Sequence, residues 1–300
     1  MEYPPSKSLP WRHQIDAWNL SQNFKAFFYA HDMGAGKSKA AVDYCNGFNA
    51  KYVLIICPKK VINVWPRQFE LHSKTPFQIL PLKKKDNAES KARSVIQFLK
   101  DCERINRSGV VITNYDIFWR PPLGPTYEKN RVTNKGILAQ VPWSVLIADE
   151  SHRIKAPNGR ASWGLARIAP SAERRLFLSG TPMPHSPLDI YAQFRALDPT
   201  IFGKSFALFR RRYCKMGGFE NRQVVAFIEQ DDLQRRFYSR AHRVELKDAV
   251  DIPEHTDITI ECDLDPKTMR IYKELEEEFI SEVEGGIITV RNALDRKSVV

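Results

Sequence analysis

Five short runs, AFFYA (26–30), YVLIIC (52–57), GVVITN (109–114), SVLIAD (144–149) and RLFLSG (175–180), are apolar almost without a break. A strand with one face in water alternates apolar and polar residues, whereas a run without a polar face is covered on both sides. Segments with helical spacing lie near 37–47, 88–103, 159–168 and 187–197. That alternation predicts an α/β fold, a mostly parallel sheet flanked by helices. Sheets of this kind hold ligands beyond the C-terminal ends of their strands, so the residues just after each run carry the most information.

AFFYA is followed by HDMGAGKS (31–38). Gly34, Ala35 and Gly36 keep a turn small, and the two glycines let backbone N–H groups face an anion. A helix beginning near Lys37 aims its first amides at the same point. Lys37 offers a mobile charge to the β- and γ-phosphates of a nucleotide, and Ser38 a hydroxyl to Mg²⁺. The usual phosphate-loop pattern has glycine where this chain has His31. SVLIAD ends in Asp149, with Glu150 next. Asp149 suits the Mg²⁺ shell and Glu150 suits orienting an attacking water. Lys37, Asp149 and Glu150 are therefore the candidate catalytic set, with ATP and Mg²⁺ as ligands.

With LIADESHRIKAP (146–157) the chain resembles superfamily-two helicase motors, specifically Swi/Snf-type DNA translocases of the phage or bacterial kind. Loops of that superfamily generally lack the first glycine, so the resemblance makes His31 unremarkable. LPWRHQIDAW resembles the motif that reads adenine and places Gln14 near the base. LFLSGTPMPHSPLDIYAQFRALDP resembles the coupling motif, in which Ser179 and Thr181, with His152, link the ATP site to DNA. YVLIICPKKVINVWPRQF resembles the segment after the second strand, which ends in a Trp and a basic helix, and VVITNYDIF resembles the strand that lies along nucleic acid. They make Lys59, Lys60, Asn114 and Tyr115 candidates for sequence-independent contact with the phosphates of double-stranded DNA. The basic runs Lys83–Lys85 and Arg210–Arg212 are candidates for added electrostatic pull or plain solvated faces.

The resemblance implies a RecA-like P-loop NTPase lobe over residues 1–247 and a linker with the start of a second lobe over 248–300. Motors of this kind need a complete second lobe, whose arginines reach ATP across the cleft, and its motifs do not occur before Val300. The second lobe is expected elsewhere in a longer chain or in trans. Two other readings stay open, a DExH-type RNA helicase lobe and a nucleotide- or DNA-binding module without turnover.

Charge fits the division. Residues 1–247 carry 40 Lys+Arg against 21 Asp+Glu, and residues 248–300 carry 6 against 14. A basic N-terminal part suits a phosphate backbone. No apolar run is long enough for a membrane span, and MEYPPSKSLPW has no apolar signal core, so a cytoplasmic protein is expected. Five scattered cysteines without a C-x-x-C pair indicate neither zinc nor a disulfide framework. Residues 120–138 read as an exposed loop, Trp65, Trp119, Trp143 and Trp163 as packing residues. The segment 266–284 reads as an acidic amphipathic helix with Leu275, Phe279 and Val283 as its apolar stripe.

Overall fold

The computed structural model describes residues 2–82, 87–128, 131–218, 223–249, 263–277, 280–283 and 286–289. Its elements run α1 (Arg12–Ser21), β1 (Ala26–His31), α2 (Lys37–Gly47), β2 (Tyr52–Cys57), α3 (Val64–His72), β3 (Gln78–Pro81), α4 (Ala88–Arg104) and β4 (Gly109–Asn114). There follow β5 (Thr126–Glu128), β6 (Arg131–Asn134), β7 (Trp143–Asp149), α5 (Arg160–Ile168), β8 (Ala172–Leu178), α6 (Asp189–Leu197), α7 (Pro199–Phe202) and α8 (Phe206–Tyr213). The chain continues through β9 (Cys214–Gly217), β10 (Gln223–Phe227), α9 (Gln230–Tyr238), β11 (Ala241–Val244), α10 (Leu246–Ala249), α11 (Pro266–Glu277), β12 (Ile280–Val283) and β13 (Gly286–Thr289).

Seven strands form one sheet in the order β11-β1-β8-β7-β2-β4-β3. Every neighbouring pair is parallel. The apolar runs occupy its centre, and β1 and β4 are buried at every position. Successive side chains alternate between two cores. Phe28, Leu54, Ile56, Leu146 and Ala148 face the layer holding α5, α6 and α9. Phe27, Tyr29, Val53, Ile55, Val145 and Ile147 face the layer holding α2 and α3. Each buried Val, Leu, Ile or Phe among them contributes about 1.5–3 kcal/mol by leaving water. β1 and β7 are both parallel to β8, which lies between them, so the loops after β1 and β7 open on the same C-terminal rim.

The chain divides into two compact units, Met1–Asp251 and Ile252–Val300. In the second, α11 ends at Glu277, and β12 pairs antiparallel with β13. The expected continuous helix through 284 is therefore wrong: Val283 is a strand residue paired with Gly286, and the stripe through Leu275 and Val283 does not form. Phe279 lies outside the described residues.

The segment 120–138 also needs correction. It holds the β5–β6 hairpin, and its two ends are anchored by the fully buried Leu123 and Leu138. Leu138 N–H donates to the Leu123 carbonyl at 3.0 Å, which closes the base of the hairpin. Among the described cysteines, Cys45, Cys57, Cys102 and Cys214 are buried and unbridged. No described helix is long and apolar enough to cross a membrane.

Candidate functional site

β1 runs directly into the glycine loop. Gly34 has φ 87° and Gly36 φ 71°, the left-handed region where a Cβ is strained. At Gly36 a Cβ would also collide with the Gln14 amide and crowd the Trp11 ring. The loop therefore needs glycine for two reasons, its own torsions and the helix beneath it. Gln14 lines the cleft while tying α1 to the loop: its Oε1 accepts from Trp11 N–H at 2.9 Å, and its Nε2 donates to the Gly36 carbonyl at 3.2 Å. Ala35 is fully buried, and its carbonyl lies 2.9 Å from His13 Nε2. That contact fastens the loop from below.

The missing glycine has a structural explanation. The His31 side chain is wholly buried beside the sheet, with Nε2 3.0 Å from His242 Nδ1 and its ring stacked on Tyr29. Burial, then the neighbouring His242 and His13, push its pKa down to about 2. A residue whose side chain points away from the anion cradle need not be glycine.

Lys37 Nζ donates to the carbonyls of His31 and Asp32 at 2.9 and 3.0 Å. Burial lowers its pKa, opposed by Glu150, Asp149 and Asp32. The ammonium is thus held at the loop by weak neutral acceptors, within the field of both acids. Ser38 lines the same cleft.

Asp149 ends β7, 6% exposed, and Trp65 Nε1 donates to its Oδ2 at 3.2 Å. Burial, then the charge on Glu150, raise its carboxyl to about 6, against the pull of the Trp65 N–H and Lys37. Glu150 adopts φ 52° and ψ 53°, a strained left-handed conformation for a residue with a side chain. Burial works against its ionisation, but hydrogen bonding from His152 and the charge of Lys37 outweigh it and hold the carboxyl below its ordinary value.

His152 Nδ1 lies 3.3 Å from Glu150 Oε2 and 2.9 Å from Ser179 Oγ. Ser179 Oγ in turn accepts from Thr181 N–H at 3.2 Å. One chain of contacts therefore joins the acidic strand end to the loop after β8. Gln14, Gly34, Gly36, Lys37, Ser38, Asp149 and Glu150 all line one open cleft of about 630 Å³, a size typical of small-molecule sites. The Ser38 hydroxyl and the Asp149 carboxylate are the hard oxygen donors Mg²⁺ prefers, so the residues present fit that ion.

The expected nucleic-acid residues divide. Lys59 and Lys60 are exposed on the turn after β2. Asn114 and Tyr115 are buried, 5% and 7% exposed. Asn114 Oδ1 accepts from Asp116 N–H at 2.9 Å, and the Tyr115 hydroxyl donates to the Asp149 carbonyl at 2.8 Å. The Tyr115 hydroxyl thus braces the acidic strand end, and the Asn114 amide caps the turn that follows β4. Lys83–Lys85 lie outside the described residues. Arg212 pairs with Asp232 at 2.9 Å.

Sequence reasoning missed Trp65 and His13 as members of the site. Trp65 stands 84 positions from its carboxylate partner, and no local spacing signals such a contact. His13 adjoins Gln14, and that adjacency was the available signal.

A parallel sheet with a lysine-bearing glycine loop after one strand and an acidic pair after another defines a P-loop nucleoside-triphosphatase core. The SNF2-related domain profile matches residues 11–298, and the chain belongs to that family. Among curated relatives, DNA repair protein RAD5A of Arabidopsis thaliana is 30% identical over 144 residues, 48% of this chain and 12% of its own length. The human DNA annealing helicase and endonuclease ZRANB3 is 26% identical over 212 residues, 70% of this chain and 17% of its own. The Sulfolobus solfataricus SWI2/SNF2 ATPase core in complex with dsDNA superposes with TM-score 0.62 at 20% identity, covering 92% of this chain and 54% of that one. The chain thus spans under a fifth of these two curated relatives and about half of that solved core.

Proposed function

We propose that this chain is the ATP-binding lobe of a double-stranded-DNA-dependent ATPase that couples hydrolysis to movement along DNA in the cytoplasm. The observation carrying this reading is the convergence of Lys37, Ser38, Asp149 and Glu150 on one cleft, with His152 and Ser179 leading away from it. Lys37 exchanges two carbonyl acceptors for phosphate oxygens when the nucleotide enters. Ser38 and Asp149 hold Mg²⁺, which neutralises phosphate charge when bound. Glu150, kept ionised by His152, orients the attacking water. A carboxylate so readily ionised is a weak base, so its part is positioning more than proton abstraction.

His152 reports to Ser179 and Thr181, and through them to the loop that faces nucleic acid. Contacts to phosphates from Lys59 and Lys60 are insensitive to sequence and weaken with salt. A second RecA-like lobe, in a longer chain or in trans, supplies the arginines that clamp the transferred phosphate, typically worth ~10³–10⁵ in rate. These 300 residues alone are therefore expected to bind MgATP weakly and to turn it over very slowly.

The test is ATP turnover by the motor completed with its second lobe, with and without duplex DNA. Duplex is expected to stimulate turnover, and Glu150→Gln to abolish it while MgATP still binds. Stimulation by RNA alone would favour an RNA helicase. A Glu150→Gln substitution that changes neither hydrolysis nor ATP residence in the completed motor would favour a nucleotide- or DNA-binding module.

A further inference from the structure

A second charged cavity lies at the far end of the sheet. Arg175 on β8 sits level with Ala26, the first residue of β1, whose other end carries the glycine loop. Beside it, α5 and α6 enclose a cavity of about 340 Å³ lined by Arg167, Arg175, Arg195 and Lys204, with Trp163 at its wall. No acidic side chain lines it. Arg195 is only 9% exposed; its guanidinium lies 3.9 Å from the centre of the Trp163 ring and donates to Ser162. The Arg175 Nε is buried without a hydrogen-bond partner among the described residues. The neighbouring acid, Asp198, is engaged by Arg240 at 3.5 Å. Arg167, Arg175 and Lys204 make no ion pair among the described residues.

Converging cations repel one another, and burying part of a guanidinium without a carboxylate is costly. An anion in the cavity removes both penalties. Guanidinium forks match the oxygens of phosphate in pairs, and several cations around one point suit a dianion better than a single carboxylate. Lys204 also lines an adjoining cavity of about 810 Å³ that contains Arg211. In that neighbour Arg212 and Arg236 are already paired with Asp232, each at 2.9 Å, which leaves Lys204 and Arg211 to extend the positive track.

We propose that the α5–α6 cavity is a second oxyanion site that takes a phosphate group, separate from the nucleotide cleft. The phosphate comes either from free phosphate or from a nucleic-acid backbone. Arg175 and Arg195 form its floor, and Arg167 and Lys204, both exposed, close over it.

The test uses arginine Nε–H resonances of the full chain. Inorganic phosphate at millimolar concentration is expected to shift those of Arg175 and Arg195 saturably. The shifts should persist in Lys37→Ala, which separates this site from the glycine loop. The double variant Arg167→Glu/Lys204→Glu changes only exposed side chains and should melt as the parent does, with phosphate binding about tenfold weaker. A short DNA duplex distinguishes the sources: the same shifts with duplex, competed by phosphate, assign a backbone phosphate, and shifts with phosphate alone assign the free ion. Resonances unmoved by either probe, or shifted equally in the double variant, overturn the proposal.

Discussion

The Trp65 indole N–H reaches the Asp149 carboxylate at 3.2 Å, joining the helix after β2 to the end of β7. That donor opposes the burial that otherwise favours the protonated acid. Trp65→Phe keeps most of the packing and removes the hydrogen bond. MgADP affinity is expected to fall several-fold, by about 1 kcal/mol, with the loss greatest near pH 6. Titration of a fluorescent ADP against pH measures it. Trp65→Ala additionally opens the core and should cost about 3–5 kcal/mol in urea unfolding.

His31 gives the fold an acid-sensitive limb. Its folded pKa lies far below the unfolded value of ~6.5, so the unfolded chain binds the proton more readily. The associated stability is complete above pH ~6.5 and declines as pH falls toward the folded value. Between pH ~6.5 and ~5.5 the decline is about 1 kcal/mol. His31→Leu should flatten that limb in urea melts, while MgADP binding near neutral pH changes less than threefold. An unchanged slope would show that His31 is accessible to protons in the folded state.

Ser179→Ala removes the hydroxyl between His152 and the loop after β8. In the completed motor, stimulation by DNA is expected to drop at least tenfold while nucleotide affinity stays within twofold. Equal losses in both would make Ser179 a general structural support instead of a link.

Asp232 anchors the α8–α9 corner, accepting from the Tyr213 hydroxyl at 2.8 Å and from Arg236 at 2.9 Å. Desolvation opposes its ionisation, but these donors and Arg235 hold the pKa down to about 2. The stability it contributes is full above the unfolded value of ~3.9 and is lost as pH falls toward about 2. Asp232→Asn should destabilise by about 2 kcal/mol at neutral pH, measured by urea unfolding.

Much of the fold is legible in the chain because the signals are local. AFFYA, YVLIIC, GVVITN and SVLIAD fall on β1, β2, β4 and β7 because central strands of a parallel sheet tolerate no polar face. β3 gives little signal because an edge strand, Gln78–Pro81, is short and half exposed. β12 reads as helix in the sequence because Leu275, Phe279 and Val283 share a four-residue spacing. The paired glycines at 285 and 286 before a β-branched run are the overlooked turn signal. Lys37, Asp149 and Glu150 are readable from what each needs beside it in sequence. The bond from the Tyr115 hydroxyl to the Asp149 carbonyl is not legible in the sequence, because the two meet only after β4 and β7 take their places on either side of β2.

The central claim is that Lys37 and Asp149 act on one magnesium nucleotide. A double-mutant cycle with Lys37→Ala and Asp149→Asn, read by calorimetric MgADP binding, tests it most directly. Groups sharing a ligand are coupled, and the two losses are expected to be non-additive by at least ~1 kcal/mol. Losses that simply add, or full-strength binding by Lys37→Ala, would contradict it.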